Sequence, residues 1–254
     1  MTQDISYSVV VTSCKRFDLL RQSLSSLASH LDVAPVEWIL VEDSDDDACS
    51  KVLEDLGIKA TVIVNGSRLG QIQSIDRAYN RVRTPYIFHC EDDWHFFRSG
   101  FVRESWVLLE RLPDISMVGL RSRAEQNPRV RNMPALTLEG IGYFVLDPAL
   151  HPEYFSYSFN PGLRRTADYH RLGPFVPLGH EPDISYAFKK QGFSIANLEV
   201  PAVGHIGDGR HVNDPTQPVK ARTVLQKLAR SARKRLKRIK RLFHPLAPAA
   251  ANWN

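Results

Sequence analysis

The fold class is decided by residues 7–31, YSVVVTSCKRFDLLRQSLSSLASHL. The first part, Tyr7 to Ser13, is a short β-branched apolar run, which predicts a buried strand. Leucines then recur at intervals of three and four residues, at Leu20, Leu24, Leu27 and Leu31. That spacing predicts a helix with one apolar face. A strand followed directly by such a helix indicates an α/β protein.

The same alternation continues to residue 97 and loosens after it. The further predicted strands are 36–44, 59–65, 85–90, 115–122 and 140–148. The further predicted helices are 47–57, 69–82, 99–113 and 181–193. Residues 123–139 are predicted as a polar loop, and residues 201–215 as an irregular, Gly-rich segment. Short links between strands and helices predict a mostly parallel central sheet with helices on both faces.

Composition limits the possible classes of protein. The chain has 254 residues, of which 43% are hydrophobic, enough for one large α/β domain. It contains no apolar run of about 18 residues and begins without a signal-like segment, so we expect neither a membrane span nor secretion. Cys14, Cys49 and Cys90 form no paired motif, which predicts reduced thiols and a cytoplasmic protein without disulfide or zinc.

The net charge of +5 is unevenly distributed. Of the 33 Lys and Arg residues, 11 lie in residues 215–254, which contain no Asp or Glu. Residues 1–214 therefore carry 22 basic and 28 acidic side chains. We expect two parts, an acidic catalytic domain over 1–214 and a basic tail over 215–254 that binds a polyanion.

The tail has the pattern of a basic amphipathic helix. Its apolar residues recur every three or four positions, at Leu225, Leu228, Ala232, Leu236, Ile239 and Phe243. A narrow apolar stripe beside a broad cationic face predicts peripheral binding of residues 220–243 to an anionic membrane, at its inner face. Packing on the body or on a partner subunit, and nucleic-acid binding, are the alternatives. The acidic body argues against nucleic acid.

Three polar clusters fall at the ends of predicted strands: Thr12 to Arg16, Glu42 to Asp47, and Glu91 to Asp93. In a parallel sheet, ligands bind beyond the carboxyl ends of the strands, so we expect one cleft there. Carboxylates in such a cleft suit Mg²⁺ or Mn²⁺. A solvated acidic loop is the alternative for residues 91–93, but the aromatic run that follows, from Trp94 to Phe97, argues against it.

Four segments in order resemble family-2-type glycosyltransferases with the GT-A fold. They are SVVVTSCKRFDLLRQSLSSL, EWILVEDSDDD, NGSRLGQIQSIDRAY and PYIFHCEDDWHF, and the resemblance extends over residues 6–211. It implies a nucleotide-sugar donor, a divalent metal that bridges the donor diphosphate, and a carboxylate base.

The resemblance also implies roles for donor-binding residues. Thr12 and Arg16 would lie beside the nucleotide. Asp43, with Glu42 next to it, would accept a hydrogen bond from an N–H of the base. Arg68 would lie near the base and phosphates. The alternative for the two acids is a structural role at the start of the following helix.

A second set of residues concerns the metal and the diphosphate. The resemblance implies Asp93 as the direct metal ligand, assisted by Glu91 or by Asp92. A late His completes the metal shell in many GT-A enzymes, and His205 matches it. Arg210 and His211, on the same Gly-rich loop as His205, would neutralise the leaving diphosphate.

The base is expected at the start of the helix over 181–193. Glu181 stands eleven residues before Gly192, as the base does in the family, and Asp183 is its competitor. The base must take the proton of the acceptor hydroxyl during attack. Helix-start carboxylates also occur for purely structural reasons, since the helix dipole stabilises them.

The expected function is metal-dependent transfer of a sugar from a UDP- or GDP-sugar to a hydroxyl of a glycan or lipid-linked acceptor, with inversion. A nucleotidyltransferase is one alternative, although TSCKRFD, residues 12–18, lacks the glycines its phosphate loop usually contains. A catalytically inactive binding module is the other, because Glu91 and His180 depart from the family pattern.

Overall fold

The computed structural model describes residues 4–217 and residues 228, 231, 232, 235, 236, 239 and 241. The strands are β1 (Tyr7–Ser13), β2 (Glu37–Glu42), β3 (Thr61–Val64), β4 (Tyr86–Glu91), β5 (Trp94–Phe96), β6 (Ile115–Gly119), β7 (Leu136–Leu138), β8 (Ile141–Leu146), β9 (Gly162–Arg165), β10 (Ser194–Leu198) and β11 (Val203–His205). The helices are α1 (Phe17–His30), α2 (Ala48–Asp55), α3 (Gln71–Tyr79), α4 (Phe101–Arg111), α5 (Thr166–Leu172) and α6 (Glu181–Lys190).

The central sheet has nine strands in the order β3-β2-β1-β4-β9-β6-β10-β8-β7. Strands β3, β2, β1 and β4 are parallel to one another, and β6 is parallel to β10. Strand β9 lies antiparallel between β4 and β6. The predicted α/β fold with a mostly parallel sheet is therefore confirmed.

Helices cover both faces of the sheet because the side chains of a strand alternate between faces. Val9 and Val11 of β1 belong to the core shared with α1, α2 and α4. Val10 belongs to the core on the opposite face, shared with α3, α5 and α6. Both cores are needed to bury a central strand on two sides, which explains why β1 is buried along its whole length.

The strand registers bring the three polar clusters together. Ser13 of β1 lies opposite Glu42 of β2, and Thr12 lies opposite Glu91 of β4. All three strands therefore end at one edge of the sheet. The loops that follow the three strands therefore begin at this edge, where they form a common cleft.

A small second sheet connects the end of the domain to this edge. Strand β11 pairs antiparallel with β5, and the register places His205 opposite Trp94. The pairing brings the Gly-rich segment after residue 203 beside the acidic turn that follows β4. The sequence predicted that segment as irregular, so β11 was not identified.

Strands β7, β9 and β10 were also not predicted. Strand β7 lies inside the predicted loop 123–139. Strand β9, GLRR, lacks an apolar pattern, and its Arg164 is fully buried. Gly162 fits there because a side chain would collide with the Val118 backbone carbonyl, 2.2 Å from the Cβ position. Strands β9 and β10 are stabilised by pairing with distant strands, whereas β7 forms a hairpin with the adjacent strand β8.

The predicted basic helix over 220–243 lies mostly outside the described residues. The seven described residues beyond 217 are helical. Among the residues that the structure describes, no helix has the length and apolar character required to span a bilayer.

Candidate active site

A polar cavity of about 250 Å³ lies beyond the carboxyl ends of β1, β2 and β4. We call it the strand-end cavity. Eight residues predicted for donor or metal binding line it: Thr12, Arg16, Asp43, Arg68, Glu91, Asp92, Asp93 and His211. The sheet edge thus collects side chains that are far apart in sequence.

Arg16 is the positively charged side chain that contacts the acidic turn, residues 91–93. Its guanidinium forms ion pairs with Asp92 and, over 2.8 Å, with Asp93. Asp92 is fully buried and also accepts from the Cys14 amide at 3.3 Å. Burial raises the pKa of Asp92 to about 6, although Arg16 acts in the opposite direction. Asp92 is therefore a buried partner of Arg16.

Asp93 is the acid of the turn that retains an unused oxygen. Its Oδ2 accepts from Arg16 and lies 3.4 Å from Nε2 of His205, while its buried Oδ1 has no hydrogen-bond partner among the described residues. The backbone at Gly207 runs directly above, because a Cβ there would lie 2.6 Å from Oδ2 of Asp93. His205, which is carried by β11, therefore faces Asp93 but is not part of the cavity lining.

Glu91 is held by two side-chain donors. Gln71 donates to Oε1 at 2.7 Å, and the Trp94 indole donates to Oε2 at 3.4 Å. Burial, and then the charges of Asp93 and Glu181, raises the pKa of Glu91 to about 8. Both carboxyl oxygens of Glu91 are therefore engaged by neighbouring side chains.

Asp93 and His205 fit a divalent cation that also binds diphosphate. The buried Oδ1 of Asp93 needs a partner, and a hard cation such as Mg²⁺ takes one or two protein ligands together with phosphate oxygens and water. No group of three or more His, Cys, Asp or Glu side chains within the described part of the chain could enclose a metal without such a substrate.

Glu42 and Asp43 differ in position although they are adjacent. Glu42 is fully buried and outside the cavity lining, and its Oε1 accepts from the Lys15 amide at 2.9 Å. Asp43 lines the cavity and accepts from the Leu69 and Gly70 amides. Glu42 thus fixes the turn after β1, while Asp43 fixes the loop before α3.

The alternative helix-capping role of these two acids is not what the structure shows. Helix α2 begins at Ala48, whose amide donates to the side chain of Asp46 at 3.0 Å. Asp43 has four lone-pair positions on its two oxygens and uses three of them, counting the 2.9 Å bond from Asn65. One position remains for a donor on a ligand.

The basic residues of the last loop divide between the cavity and the surface. His211 lines the strand-end cavity, and Arg68 on the opposite wall donates to the backbone carbonyl of Asn213. Arg210 is exposed and pairs with Asp18 at the start of α1, with Nη2 of Arg210 2.9 Å from Oδ1. In this arrangement Arg210 lies outside the cavity lining.

A second cavity, of about 220 Å³, contains Glu181. We call it the Glu181 cavity. Glu181 is the first residue of α6, and its Oε1 accepts from the Ser158 hydroxyl at 3.1 Å. Burial raises the pKa of Glu181, whereas the Ser158 hydrogen bond and the charges of Arg164 and Arg121 lower it. A carboxylate with a raised pKa is better suited to accept a proton near neutral pH.

Arg164 stabilises the segment that contacts the Glu181 carboxylate. Its side chain is fully buried, and it donates to the backbone carbonyls of Ser158 at 3.0 Å and Asn160 at 3.0 Å. No described carboxylate forms an ion pair with it. Arg164 therefore holds the segment whose Ser158 hydroxyl orients Glu181, and it keeps a positive charge near that base.

Asp183, the alternative candidate for the base, lies outside both cavities. It accepts from the backbone amide of His180 at 3.4 Å and forms an ion pair with Arg241. It lines neither the strand-end cavity nor the Glu181 cavity. Its position fits a residue that caps α6 and holds Arg241.

Comparison with known families identifies the domain. The profile described as glycosyl transferase family 2 matches residues 8–171, well over half of the chain. The chain belongs to glycosyl transferase family 2. No curated protein matches it in sequence. The sequence-based recognition of the family is thereby confirmed.

Solved structures show that this family 2 chain has the GT-A fold. Three similar ones are the mannosyltransferase PcManGT from Pyrobaculum calidifontis with GDP-Man and Mn²⁺, TarS 1–349 from S. aureus with UDP-GlcNAc, and glucosyl-3-phosphoglycerate synthase from Mycobacterium tuberculosis with phosphoglyceric acid. Their TM-scores are 0.60, 0.57 and 0.57, at identities of 12%, 14% and 15%.

The extent of the match differs among them. The alignments cover 82%, 82% and 95% of this chain, and 59%, 62% and 81% of the three structures in the same order. This family 2 chain thus spans about three fifths of the first two.

Several residues around the two cavities were missed by sequence reasoning. Gln71 and Ser158 bond predicted site acids, and Arg121 and Arg164 place positive charge near Glu181. Asp214 accepts from the Gln71 amide at 3.3 Å and lines the strand-end cavity. Gln71 lies within the family-like segment NGSRLGQIQSIDRAY, but neither that segment nor any other pattern indicated the roles of these side chains.

Proposed function

We propose that this protein transfers a sugar from a nucleotide-sugar donor to a hydroxyl group of a glycan or lipid-linked acceptor, with inversion at the anomeric carbon. The observation that carries the proposal is the adjacency of two cavities. One contains the predicted donor residues and the other contains Glu181. They meet at Trp94, whose indole donates to Glu91 of the strand-end cavity and whose ring lies 5.4 Å from the guanidinium of Arg121 in the Glu181 cavity. Family membership and the GT-A neighbours support the same reaction.

In the strand-end cavity, Asp43 would bind the base, and Arg68 and His211 would lie along the phosphates. Asp93 and His205 would hold Mn²⁺ or Mg²⁺ between them and the diphosphate. A divalent ion there stabilises the negative charge that develops on the leaving group. Arg16 is charged at all relevant pH values and would keep the acidic turn neutral enough to admit the diphosphate.

In the Glu181 cavity, Glu181 would accept the proton of the attacking hydroxyl. Its Oε1 is oriented by Ser158, so Oε2 is the oxygen that is free to face the acceptor. Inversion follows if the acceptor attacks from this side while the nucleotide leaves toward the strand-end cavity. Asp183 would be a structural residue, since Arg241 and the start of α6 engage its carboxylate.

We further propose that residues 1–214 form the catalytic unit and that the basic tail places it on an anionic membrane at the inner face. Leu228, Leu236 and Ile239 are each more than half exposed, as the apolar stripe of an interfacial helix must be. Arg241 packs on the body through ion pairs with Glu153 and Asp183. The tail would therefore be attached to the enzyme at one end and present its apolar side outward.

The test is a panel of UDP- and GDP-sugars incubated with the full chain and Mn²⁺, with release of the nucleoside diphosphate as the readout. Slow hydrolysis of one donor, lost in Asp93→Asn, is the expected result. A panel in which no sugar nucleotide binds or is cleaved would contradict the proposed transfer and favour a binding module. Cleavage that yields a nucleoside monophosphate instead would indicate nucleotidyl transfer.

A further inference from the structure

The Glu181 cavity contains one basic side chain in its lining, that of Arg121. Arg121 follows β6 and is a quarter exposed, and its guanidinium lies 5.4 Å from the centre of the Trp94 ring. Arg121 lines this cavity and is absent from the lining of the strand-end cavity. The charge of Arg121 therefore acts on any ligand that binds next to Glu181.

Most of the hydrogen-bonding capacity of Arg121 is unused. Nη2 donates to the backbone carbonyl of Glu125 at 3.1 Å, but the buried Nε has no hydrogen-bond partner among the described residues. The Glu125 carboxylate lies 3.5 Å from Nε and is itself substantially exposed, so the pair is weak. A guanidinium has five N–H donors in a planar fork, and a buried donor without an acceptor is costly.

Glu181 does not supply the missing acceptor. The structure gives no hydrogen bond or ion pair between Arg121 and Glu181, and Oε1 of Glu181 already accepts from Ser158. No other acidic residue lines the cavity. The partner that would satisfy Arg121 must therefore come with the ligand.

The remaining polar lining is neutral. Amide side chains line the walls, at Gln126, Asn127, Asn160 and Asn197. Amides both donate and accept, which suits hydroxyl groups. The cavity has a volume of about 220 Å³, which is room for a small hydroxylated ligand. The lining thus combines hydroxyl recognition, a base and one cation whose buried Nε lacks a hydrogen bond.

We propose that the acceptor carries a phosphate or carboxylate close to the hydroxyl that is glycosylated, and that Arg121 binds this anionic group. The inference rests on the proposed function in taking the Glu181 cavity as the acceptor site. Charge-assisted, bidentate contacts from a guanidinium fix both the position and the orientation of such a group. The acceptor hydroxyl would thereby be directed toward Glu181.

The test measures binding to the full chain saturated with UDP and Mn²⁺, so that the strand-end cavity is filled. Matched neutral and anionic probes are glycerol and sn-glycerol 3-phosphate, glycerol and glycerate, and glucose and glucose 6-phosphate. We expect at least one anionic probe to bind about tenfold or more tightly than its neutral partner. Arg121→Gln should remove that preference and leave UDP affinity unchanged, while Arg121→Lys should retain part of it.

The matched control is Arg129→Gln. Arg129 belongs to the same loop and is exposed, and its side chain donates to the Leu150 carbonyl, so the substitution should not alter the preference. Vesicles of phosphatidylcholine with and without phosphatidylglycerol form the second arm. A loss of vesicle binding in Arg121→Gln would assign the anion to a lipid headgroup, and its absence would assign it to a soluble compound.

Equal affinity of the wild type for the members of every pair would overturn the proposal. A parallel loss of UDP affinity in Arg121→Gln would also overturn it, because Arg121 would then serve the donor. If no sugar nucleotide is cleaved but Arg121 still selects anions, the proposed transfer fails and the anion site remains. The same set of variants therefore tests the proposed sugar transfer and the proposed anion site separately.

Discussion

Nη1 of Arg16 lies 2.8 Å from Oδ2 of Asp93, so the acidic turn after β4 carries its own cation. The same guanidinium pairs with the fully buried Asp92. The arrangement explains how three consecutive acids can stand at the end of a buried strand. It also gives Arg16 a role in stability that does not depend on any substrate.

Removal of Arg16 should destabilise the protein. Arg16→Met leaves Asp92 buried without a counter-charge, and we expect a loss of about 3 kcal/mol in the free energy of unfolding. Urea denaturation at pH 7 measures it, and Arg16→Met with Asp92→Asn should recover part of the loss. Arg21→Met is the matched control, because the Arg21–Asp55 pair is exposed and should contribute less than about 1 kcal/mol. Equal losses in Arg16→Met and Arg21→Met would contradict the role of Arg16 as the counter-charge of Asp92.

Asp93 should determine metal binding. Asp93→Asn removes the carboxylate with the free Oδ1, so we expect Mn²⁺ affinity in the presence of UDP to fall about tenfold or more. Electron paramagnetic resonance titration of Mn²⁺ provides the measurement. Asp208→Asn is the control, since Asp208 contacts the other ring nitrogen of His205 but is exposed to solvent. Unchanged Mn²⁺ affinity in Asp93→Asn would remove Asp93 and His205 as the proposed site.

Glu181 and Asp183 should separate in a kinetic comparison. Glu181→Gln keeps the size and the Ser158 contact but cannot accept a proton, so transfer should fall about 100-fold or more while donor affinity is retained. Asp183→Asn should retain most of the transfer rate and lose thermal stability instead, because Arg241 loses an ion pair. The reverse pattern would reassign the base to Asp183.

Lys189 should make the free energy of unfolding change with pH in the alkaline range. Burial lowers the pKa of Lys189 to about 8 from 10.5, and its ammonium donates to the Pro148 carbonyl at 2.7 Å. Between these pH values the unfolded chain binds more protons than the folded chain, so the contribution of Lys189 to stability rises with pH.

The measurement is the difference in unfolding free energy between the wild type and Lys189→Met. This difference should shift in favour of the wild type by up to about 1.4 kcal/mol per pH unit between pH 8 and pH 10. Lys59→Met, at an exposed position, should give a difference that stays constant over the same range. A constant difference for Lys189→Met would be inconsistent with a lowered pKa.

The tail should bind anionic vesicles through its exposed apolar side. Simultaneous Leu228→Asp, Leu236→Asp and Ile239→Asp changes should abolish flotation with phosphatidylglycerol vesicles, and high salt should weaken flotation of the wild type. The control carries Val36→Asp and Val200→Asp, which replace two exposed valines within residues 1–214. If both proteins float equally, the tail has a different partner.

Local sequence was sufficient for the first half of the fold. Strand β1 was predicted with its observed bounds, Tyr7–Ser13, because a β-branched run buried on both faces has few alternatives. The helices predicted over 16–31 and 181–193 are observed as Phe17–His30 and Glu181–Lys190, and were recognisable from the spacing of apolar residues and, for the second, from a terminal glycine. Strands β9 and β11 were missed since each is short and is stabilised by pairing with strands that are distant in the chain.

The residue types of the site were also readable, but their arrangement was not. Asp92 and Asp93 are adjacent and chemically identical, yet one is buried against Arg16 and the other has a free oxygen. Successive side chains point in different directions, and the direction is set by what packs around the turn. Arg121 and Arg164 carried no signal at all, because their role arises from proximity to Glu181.

The sequence by itself determined the α/β class, the family, and the supply of acids at strand ends, since these follow from periodicity and from the order of local motifs. Only the tertiary structure decided that Arg16 pairs with both Asp92 and Asp93, that Asp93 faces His205, and that Glu181 shares its cavity with Arg121. The physical reason is that charge pairing and burial depend on distances between residues that are up to about two hundred positions apart in the chain, such as Arg16 and the loop carrying Arg210.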